Sequence, residues 1–225
     1  LTLGLTGPTG GGKTTLISLL PRLYEPERGV VELDGHPVGD YRLDALRAAV
    51  ALAPQEPFLF SQTLRANLAF GAPDAAPGGP PSAPLTLEAA AALAGLEPDL
   101  TGFPAGLDTI VGERGITLSG GQKQRAALAR ALLANPRVLV LDDAFSSVDT
   151  ETEERILSRL RAVFATRTTI LISHRASTLR HAHRIVVLDG GRIVEDGTPD
   201  ELLAREGWYA ALHRRQQLEA ELERA

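Results

Sequence analysis

The chain has 225 residues, 44% hydrophobic and 23% charged, with a net charge of −5. That size and balance fit one globular domain with room for a subdomain, and the acidic balance lacks the basic footprint of a nucleic-acid binder. With no cysteine there are no disulfides or thiolate ligands, and no apolar run reaches the roughly eighteen residues of a membrane helix.

Residues 1–6 alternate as a strand, 7–12 read as a loop and 13–24 as a helix. The stretch 30–35 reads as a strand ending in a turn, 42–49 as a helix and 50–53 as a strand, with Gln55 just beyond it. Residues 62–135 are rich in Ala and Leu at helical spacing and show no clear strand, which predicts an inserted helical subdomain. Within it, 71–84 is a loop by its Pro and Gly content and receives no function. A helix over 119–134 begins inside Leu118-Ser119-Gly120-Gly121-Gln122. Residues 138–141 form a short, wholly apolar strand, as a buried parallel strand should be, and it runs into Asp142. A helix over 149–165 and a strand over 168–172 follow; 184–189 and 192–195 flank Gly190-Gly191 as a hairpin. From Pro199 the tail is helical and charged.

Strands alternating with helices predict an α/β fold with a parallel sheet. The expected organisation is a single domain over 1–225. Its α/β core comprises 1–61 and 136–198, its helical subdomain 62–135 and its C-terminal helices 199–225. The chain has no methionine and enters its first motif directly from a strand, which suggests a domain cut from a longer protein.

That first motif, residues 7–14, fits the phosphate-binding pattern G-x-x-x-x-G-K-[ST]. Its glycines let the backbone wrap closely around phosphates. The N–H groups of Gly10, Gly11, Gly12, Lys13 and Thr14 are expected to point inward, with Gly7, Thr9 and Thr15 completing the loop. The Lys13 ammonium would neutralise phosphate oxygens and the Thr14 hydroxyl would ligate Mg²⁺. Only Lys13 and Lys123 are lysine in a chain that otherwise writes arginine. A cradle of backbone N–H groups admits a slim ammonium and excludes a planar guanidinium.

The phosphate loop, the later Leu118-Ser119-Gly120-Gly121-Gln122 and the apolar run ending in Asp142 together resemble the ATP-binding cassette (ABC) ATPases. The resemblance covers nearly the whole chain. It implies a P-loop NTPase (RecA-like) core, with ATP and Mg²⁺ as its ligands. Asp142 would end the Walker B strand and orient Mg²⁺ through water, with Thr14 and Gln55 beside it. Gln55 matches the Q-loop glutamine and His174 the H-loop histidine that reaches the γ-phosphate; both would act with Asp143 in catalysis. Ser119 and its neighbours 118–122 would close over ATP held by another subunit, and Ser147, Val148 and Asp149 match the D-loop that crosses such an interface. Thr109, Val111, Gly112, Glu113, Arg114 and Gly115 resemble the X-loop of ABC exporters, which contacts the transmembrane domain. The implied partners are a second ABC ATPase domain and the transmembrane domains of both chains, at the cytoplasmic face of the membrane. The alternative is a soluble, non-transport ABC ATPase; those carry long coiled-coil or linker insertions, which are not seen here. The adenine-stacking aromatic of the family falls before Leu1.

The sequence departs from the family at Asp143, where glutamate is usual. One methylene fewer leaves the carboxylate roughly 1–1.5 Å short of the attacking water, and a misplacement of about 1 Å can lower a rate on the order of a hundredfold. This resembles the substituted half of heterodimeric multidrug and peptide exporters, in which one site is degenerate. A homodimer with a slow aspartate is the plainer alternative. The remaining histidines, His36, His181, His183 and His213, are expected at surface or packing positions.

Overall fold

The computed structural model describes residues 1–70, 72, 85–112 and 115–222. Strand β1 (Thr2–Thr6) runs through the loop 7–12 into helix α1 (Lys13–Ser18). A two-stranded hairpin, β2 (Glu32–Leu33) with β3 (His36–Pro37), precedes α2 (Leu43–Ala49) and β4 (Val50–Ala53). Helices α3 (Leu64–Ala69), α4 (Leu87–Leu93), α5 (Glu97–Gly102) and α6 (Gly120–Leu133) follow. The chain then alternates through β5 (Val138–Asp142), α7 (Thr150–Ala165), β6 (Thr168–Ile172) and α8 (Ala176–Leu179). It closes with the hairpin β7 (Arg184–Asp189) and β8 (Arg192–Gly197), then α9 (Pro199–Ala204) and α10 (Trp208–Leu222).

Six strands make one sheet in the order β4-β5-β6-β1-β7-β8. All pairings are parallel except β7 with β8. Because β5, β6 and β1 are parallel neighbours in register, their carboxyl ends, at Asp142, Ile172 and Thr6, emerge at one edge of the sheet. In open α/β sheets this edge is where ligands bind.

The central parallel strands β5, β6 and β1 are buried on both faces, as a parallel sheet must be. One face, through Leu139 and Leu141, joins the largest apolar cluster with Leu128 and Leu132 of α6 and Ile156 and Leu160 of α7. That cluster runs on without a break into Leu64, Leu68, Ala90 and Leu96. The helical segment therefore shares its core with the sheet rather than closing around its own. The opposite face packs Val138, Val140 and Ile172 against Ile17 of α1 and Leu46 of α2. A third cluster seats Tyr209 and Leu212 of α10 with Leu179 and Leu202.

Two elements differ from expectation. The helix expected over 13–24 keeps α-helical bonding only to Ser18. Pro21 has no N–H to donate, and the turn closes with Leu23 N–H on the Ser18 carbonyl (3.0 Å) and Arg22 N–H on Leu19 (3.2 Å), Arg22 taking φ +52°. That is a Schellman closure with a non-glycine left-handed residue. The strand expected over 30–35 is half of a hairpin whose turn is Asp34-Gly35, both at positive φ. Asp-Gly is a strong signal for that turn.

Gly7 sits where β1 leaves the sheet, at φ +135°, beneath the carbonyl of Leu188 on β7. A Cβ at Gly7 would overlap that carbonyl oxygen, and one at Gly11 would lie 2.7 Å from it. The phosphate loop is thus moulded against the neighbouring strand. Gly7→Ala is expected to cost on the order of 2–3 kcal/mol through strained backbone and overlap, or roughly 5–10 °C of Tm. A thermal melt of the ligand-free chain checks it.

Candidate functional site

The phosphate loop hangs between β1 and α1. Gly11 N–H bonds the Pro8 carbonyl (3.1 Å), and the Gly11 carbonyl accepts from Gly191 N–H (3.2 Å). Lys13 is buried. Its ammonium donates to the carbonyls of Gly7 and Pro8, each at 2.9 Å. Burial draws its pKa below the ordinary lysine value, against the opposing pull of Asp143 and Asp142. Thr9, Gly10, Thr14 and Thr15 lie exposed around it.

Asp142, at the end of buried β5, is itself buried. Its carboxylate accepts from the Thr14 hydroxyl at 3.2 Å. Burial pushes its pKa above the usual carboxylate value, while the Thr14 bond pulls the other way. A hydroxyl and a carboxylate oxygen converging beside an open phosphate cradle are the all-oxygen donors that Mg²⁺ takes, with phosphate and water supplying the rest. Thr14 and Asp142 therefore fit the ion. Among the described residues no cluster of three His, Cys, Asp or Glu side chains could hold a metal alone.

Asp143 occupies the left-handed region at φ +44°. Its carboxylate does not project freely. Oδ1 accepts the backbone N–H of His174 (3.2 Å), and Oδ2 lies 3.4 Å from His174 Nε2. The Asp143 N–H in turn bonds the Ile172 carbonyl (3.0 Å). Gln55, Asp143, Ser146 and His174 line a hollow of about 130 Å³ at this edge.

Two residues that sequence reasoning passed over hold these loops together. Gln124, on α6, is 2% exposed. Its amide nitrogen donates to the Gln55 carbonyl (3.1 Å) and the Ser146 hydroxyl (2.7 Å), and its amide oxygen accepts from Ser147 N–H (2.9 Å). Arg175 donates to the carbonyls of Val148 (2.9 Å) and Ser146 (3.3 Å) and pairs with buried Glu153, which also accepts from Thr178. Polar side chains at helical and loop positions ordinarily read as solvated, so only the fold reveals these roles. Gln124 lies two residues past the signature and Arg175 one past His174, and adjacency was the only available signal.

The signature has a local reason for its residue types. Ser119 and Gln122 form a capping box on α6: the Ser119 hydroxyl accepts from Gln122 N–H and the Gln122 side chain accepts from Ser119 N–H. Gln122 also donates to Asp99 (2.8 Å), which pairs with Arg125. Leu118 and Gly121 are buried, while Ser119 and Gly120 are exposed. A Cβ on Gly121 would lie 2.8 Å from the Ser147 carbonyl, so the D-loop stretch can approach only because that position is bare. Val148 is buried, and Asp149 caps α7 by accepting from Thr152 N–H (2.8 Å). Among the described residues no hydrogen bond joins Ser119–Gln122 to the phosphate loop.

Of the residues expected to face a transmembrane partner, Thr109 and Val111 are buried, which corrects that expectation for their side chains. The Thr109 hydroxyl accepts from Ala105 N–H (3.0 Å), its carbonyl from Leu64 N–H, and Val111 bridges to Ile116. Gly115 N–H bonds the Gly112 carbonyl (3.2 Å), and Ile110 is an exposed apolar neighbour. Glu113 and Arg114 lie outside the described residues, as does 71–84 apart from Ala72. Beside this loop is a groove of about 450 Å³ lined by Phe58, Phe60, Ser61, Gly112, Leu118 and Lys123. Its aromatic rim is held from behind. Asn67 bonds both backbone groups of Phe60, and Arg130 bonds the carbonyls of Phe58 and Asn67. Phe58 and Phe70 remain about 70% exposed.

With that geometry in place, likeness to known proteins is informative. Residues 1–146 match the family described as ABC transporter, and the chain belongs to it. It is 49% identical over 213 residues to the ATP-dependent lipid A-core flippase of Alkalilimnicola ehrlichii, covering 95% of this chain and 35% of that protein. The probable multidrug resistance ABC transporter ATP-binding/permease protein YheI of Bacillus subtilis is 45% identical over 217 residues, covering 96% and 36%. The multidrug resistance-like ATP-binding protein MdlA of Escherichia coli is 44% identical over 223 residues, covering 99% and 37%. A solved bacterial Atm1-family ABC exporter with ATP bound aligns at a TM-score of 0.86 and 43% identity, over 96% of this chain and 37% of that one. The chain thus spans about a third of the length of these relatives. No helix among the described residues is long and apolar enough to cross a membrane.

The raised pKa of Asp142 makes a prediction. A carboxyl whose folded-state pKa exceeds its unfolded value weakens folding once pH rises through the folded value, because charge is then buried. Asp142→Asn keeps the acceptor for Thr14 and removes that charge. The melting temperature of the ligand-free variant relative to wild type should therefore rise from acid to neutral pH, by less than burial alone would give because Asp142 also supports the Lys13 charge. The difference should vanish below about pH 3.9, where unfolded aspartate is protonated as well. Melts across pH test both parts.

Proposed function

We propose that this chain is the ATP-binding and ATP-hydrolysing engine of a membrane exporter. Two such domains would associate head to tail around two ATP molecules at the cytoplasmic face of the membrane. One observation carries the reading: Lys13, Thr14, Asp142, Asp143 and His174 converge at the carboxyl ends of β1, β5 and β6, while the capped signature helix stands apart from them. A nucleotide at the first group needs the second from another subunit to be enclosed. The exporter class is supported by the relatives, among them a lipid A-core flippase and a probable multidrug resistance transporter, and by the ABC exporter to which the fold is similar. The cargo stays unassigned.

On ATP binding, the Lys13 ammonium leaves the carbonyls of Gly7 and Pro8 for the β and γ phosphate oxygens, and the N–H groups of residues 10–14 close around them. Thr14 and Asp142, with Gln55, would hold Mg²⁺. The ion supplies charge neutralisation at the phosphates. His174 contacts the γ-phosphate, and Asp143 orients the attacking water. Ser119, Gly120 and Gly121 of the second domain complete the enclosure. The aromatic groove beside Gly112 receives a segment of the transmembrane domain, which links closure to movement in the membrane.

Asp143 makes this domain's own site the weaker of two. Its carboxylate is shorter than glutamate and already engaged by His174, so reach and freedom are both reduced. We assign the chain to the substituted half of a heterodimer, whose productive site pairs the partner's phosphate loop with Ser119 and Gly121 of this chain.

Two experiments test this. Lys13→Ala in the chain as given should remove binding of a fluorescent ATP analogue; unchanged affinity contradicts the nucleotide site. In the reconstituted transporter, Asp143→Ala should keep most steady-state ATPase activity, Gly121→Asp should lose most of it, and Asp143→Glu should raise it modestly. Loss of turnover on Asp143→Ala alone makes Asp143 a working catalytic residue and favours a slow homodimer.

A further inference from the structure

We infer that Gln216, near the end of the chain, is a positioning residue for the His174 loop. The inference rests on the reading of His174 given above and adds an element that lies beyond the matched family region, which ends at residue 146.

The geometry is specific. The Gln216 amide nitrogen donates to the His174 carbonyl at 2.6 Å, and its amide oxygen accepts from Ala176 N–H at 2.8 Å. One side chain on α10 therefore satisfies a carbonyl and an N–H of the same short loop. The other N–H groups there are also held by side chains. His174 N–H goes to Asp143 Oδ1 (3.2 Å) and Arg175 N–H to the Ser173 hydroxyl (3.0 Å). The backbone of His174 is thus fixed from two sides, its N–H by Asp143 and its carbonyl by Gln216. With both ends set, the imidazole has its position prescribed relative to the Asp143 carboxylate, 3.4 Å away.

Docking of α10 does not need Gln216. The helix is seated by Tyr209 and Leu212 against Leu179 and Leu202. Gln216 lies one turn past Leu212, half-buried, beside a hollow whose charged or titratable lining groups are Arg175, Arg180, His213 and Glu219. An amide there contributes hydrogen bonds to the loop and little apolar burial. Its two bonds make α10 a fixed support for a loop that must stay aimed while ATP comes and goes. If α10 shifts, the His174 carbonyl loses its donor.

The test reads turnover at this chain's own, weaker site, in the full transporter with the partner's phosphate loop disabled, for four chains: wild type, Gln216→Met, Gln216→Glu and His174→Ala. Methionine keeps the volume and removes both bonds. It is expected to lower kcat for ATP hydrolysis about tenfold, since loosened aim is worth one to two decades, with KM for ATP within about twofold and Tm close to wild type. Glutamate can replace both bonds only when protonated, because a carboxylate repels the His174 carbonyl. Arg175 and Arg180 beside it keep an introduced carboxylate ionised, so Gln216→Glu should lower kcat at least as far as Gln216→Met throughout about pH 6 to 8. A wild-type kcat in Gln216→Met, or a loss that merely tracks loss of folded protein, overturns the positioning role. If His174→Ala removes turnover and Gln216→Met does not, the inference on Gln216 alone falls. If His174→Ala leaves turnover intact, the reading of His174 falls and takes this inference with it.

Discussion

The site depends on a buried ammonium. Lys13 sits at the first turn of α1 with almost no solvent, and burial works against its charge. Two loop carbonyls accept from it directly, and the carboxylates of Asp142 and Asp143, at the end of β5, oppose the effect of burial. This arrangement requires β1 and β5 to end at the same edge, with β6 between them, and the sheet order provides that. It also requires the loop to lie close under β7, which is why Gly7 and Gly11 carry no side chain. A phosphate group would take the place of the two carbonyls and relieve the burial of an incompletely neutralised charge.

Around that centre, loops are held by side chains more than by sheet or helix ladders. Gln124 fixes Gln55 and residues 146–147, Arg175 fixes the carbonyls of Ser146 and Val148, and Gln216 fixes the backbone at His174 and Ala176. Each comes from a different element: α6, the turn before α8, and α10. Loops tied in this way cannot move singly. A displacement of α6, which also carries the signature, pulls through Gln124 on the stretch after Asp143. Buried amides with both ends satisfied suit this task, because a broken bond leaves an unpaired polar group behind.

Much of this was legible in the sequence because the phosphate loop, signature and apolar strand each have a local physical cause. The wholly apolar run before Asp142 can only be a buried strand, and the S-x-x-Q of the signature is also a capping box. The helix over 149–165 and the strand over 168–172 were readable from period and capping alone. What escaped depended on distant pairing. The helix after Lys13 was drawn too long because Pro21 acts through a closure that needs Arg22 in a left-handed conformation. Thr109 and Val111 looked like partner contacts, yet a chain has no local signal for which side of a bridge faces inward. Gln124, Arg175 and Gln216 are polar residues whose side-chain partners lie 19 to 69 residues away for the first two, and 40 and 42 for the third. Neither period nor composition encodes such separations.

The aromatic rim of the groove has a consequence for how such proteins diversify. Asn67 and Arg130 grip the backbone of 58–60, not its rings. Phe58 can therefore be exchanged for another side chain without disturbing the peptide that carries it, and the buried helices beneath are untouched. The face works like an interchangeable fitting on a fixed mount. If the groove seats a transmembrane segment as proposed, a lineage can retune which segment it takes, one exposed ring at a time, while the phosphate loop stays the same.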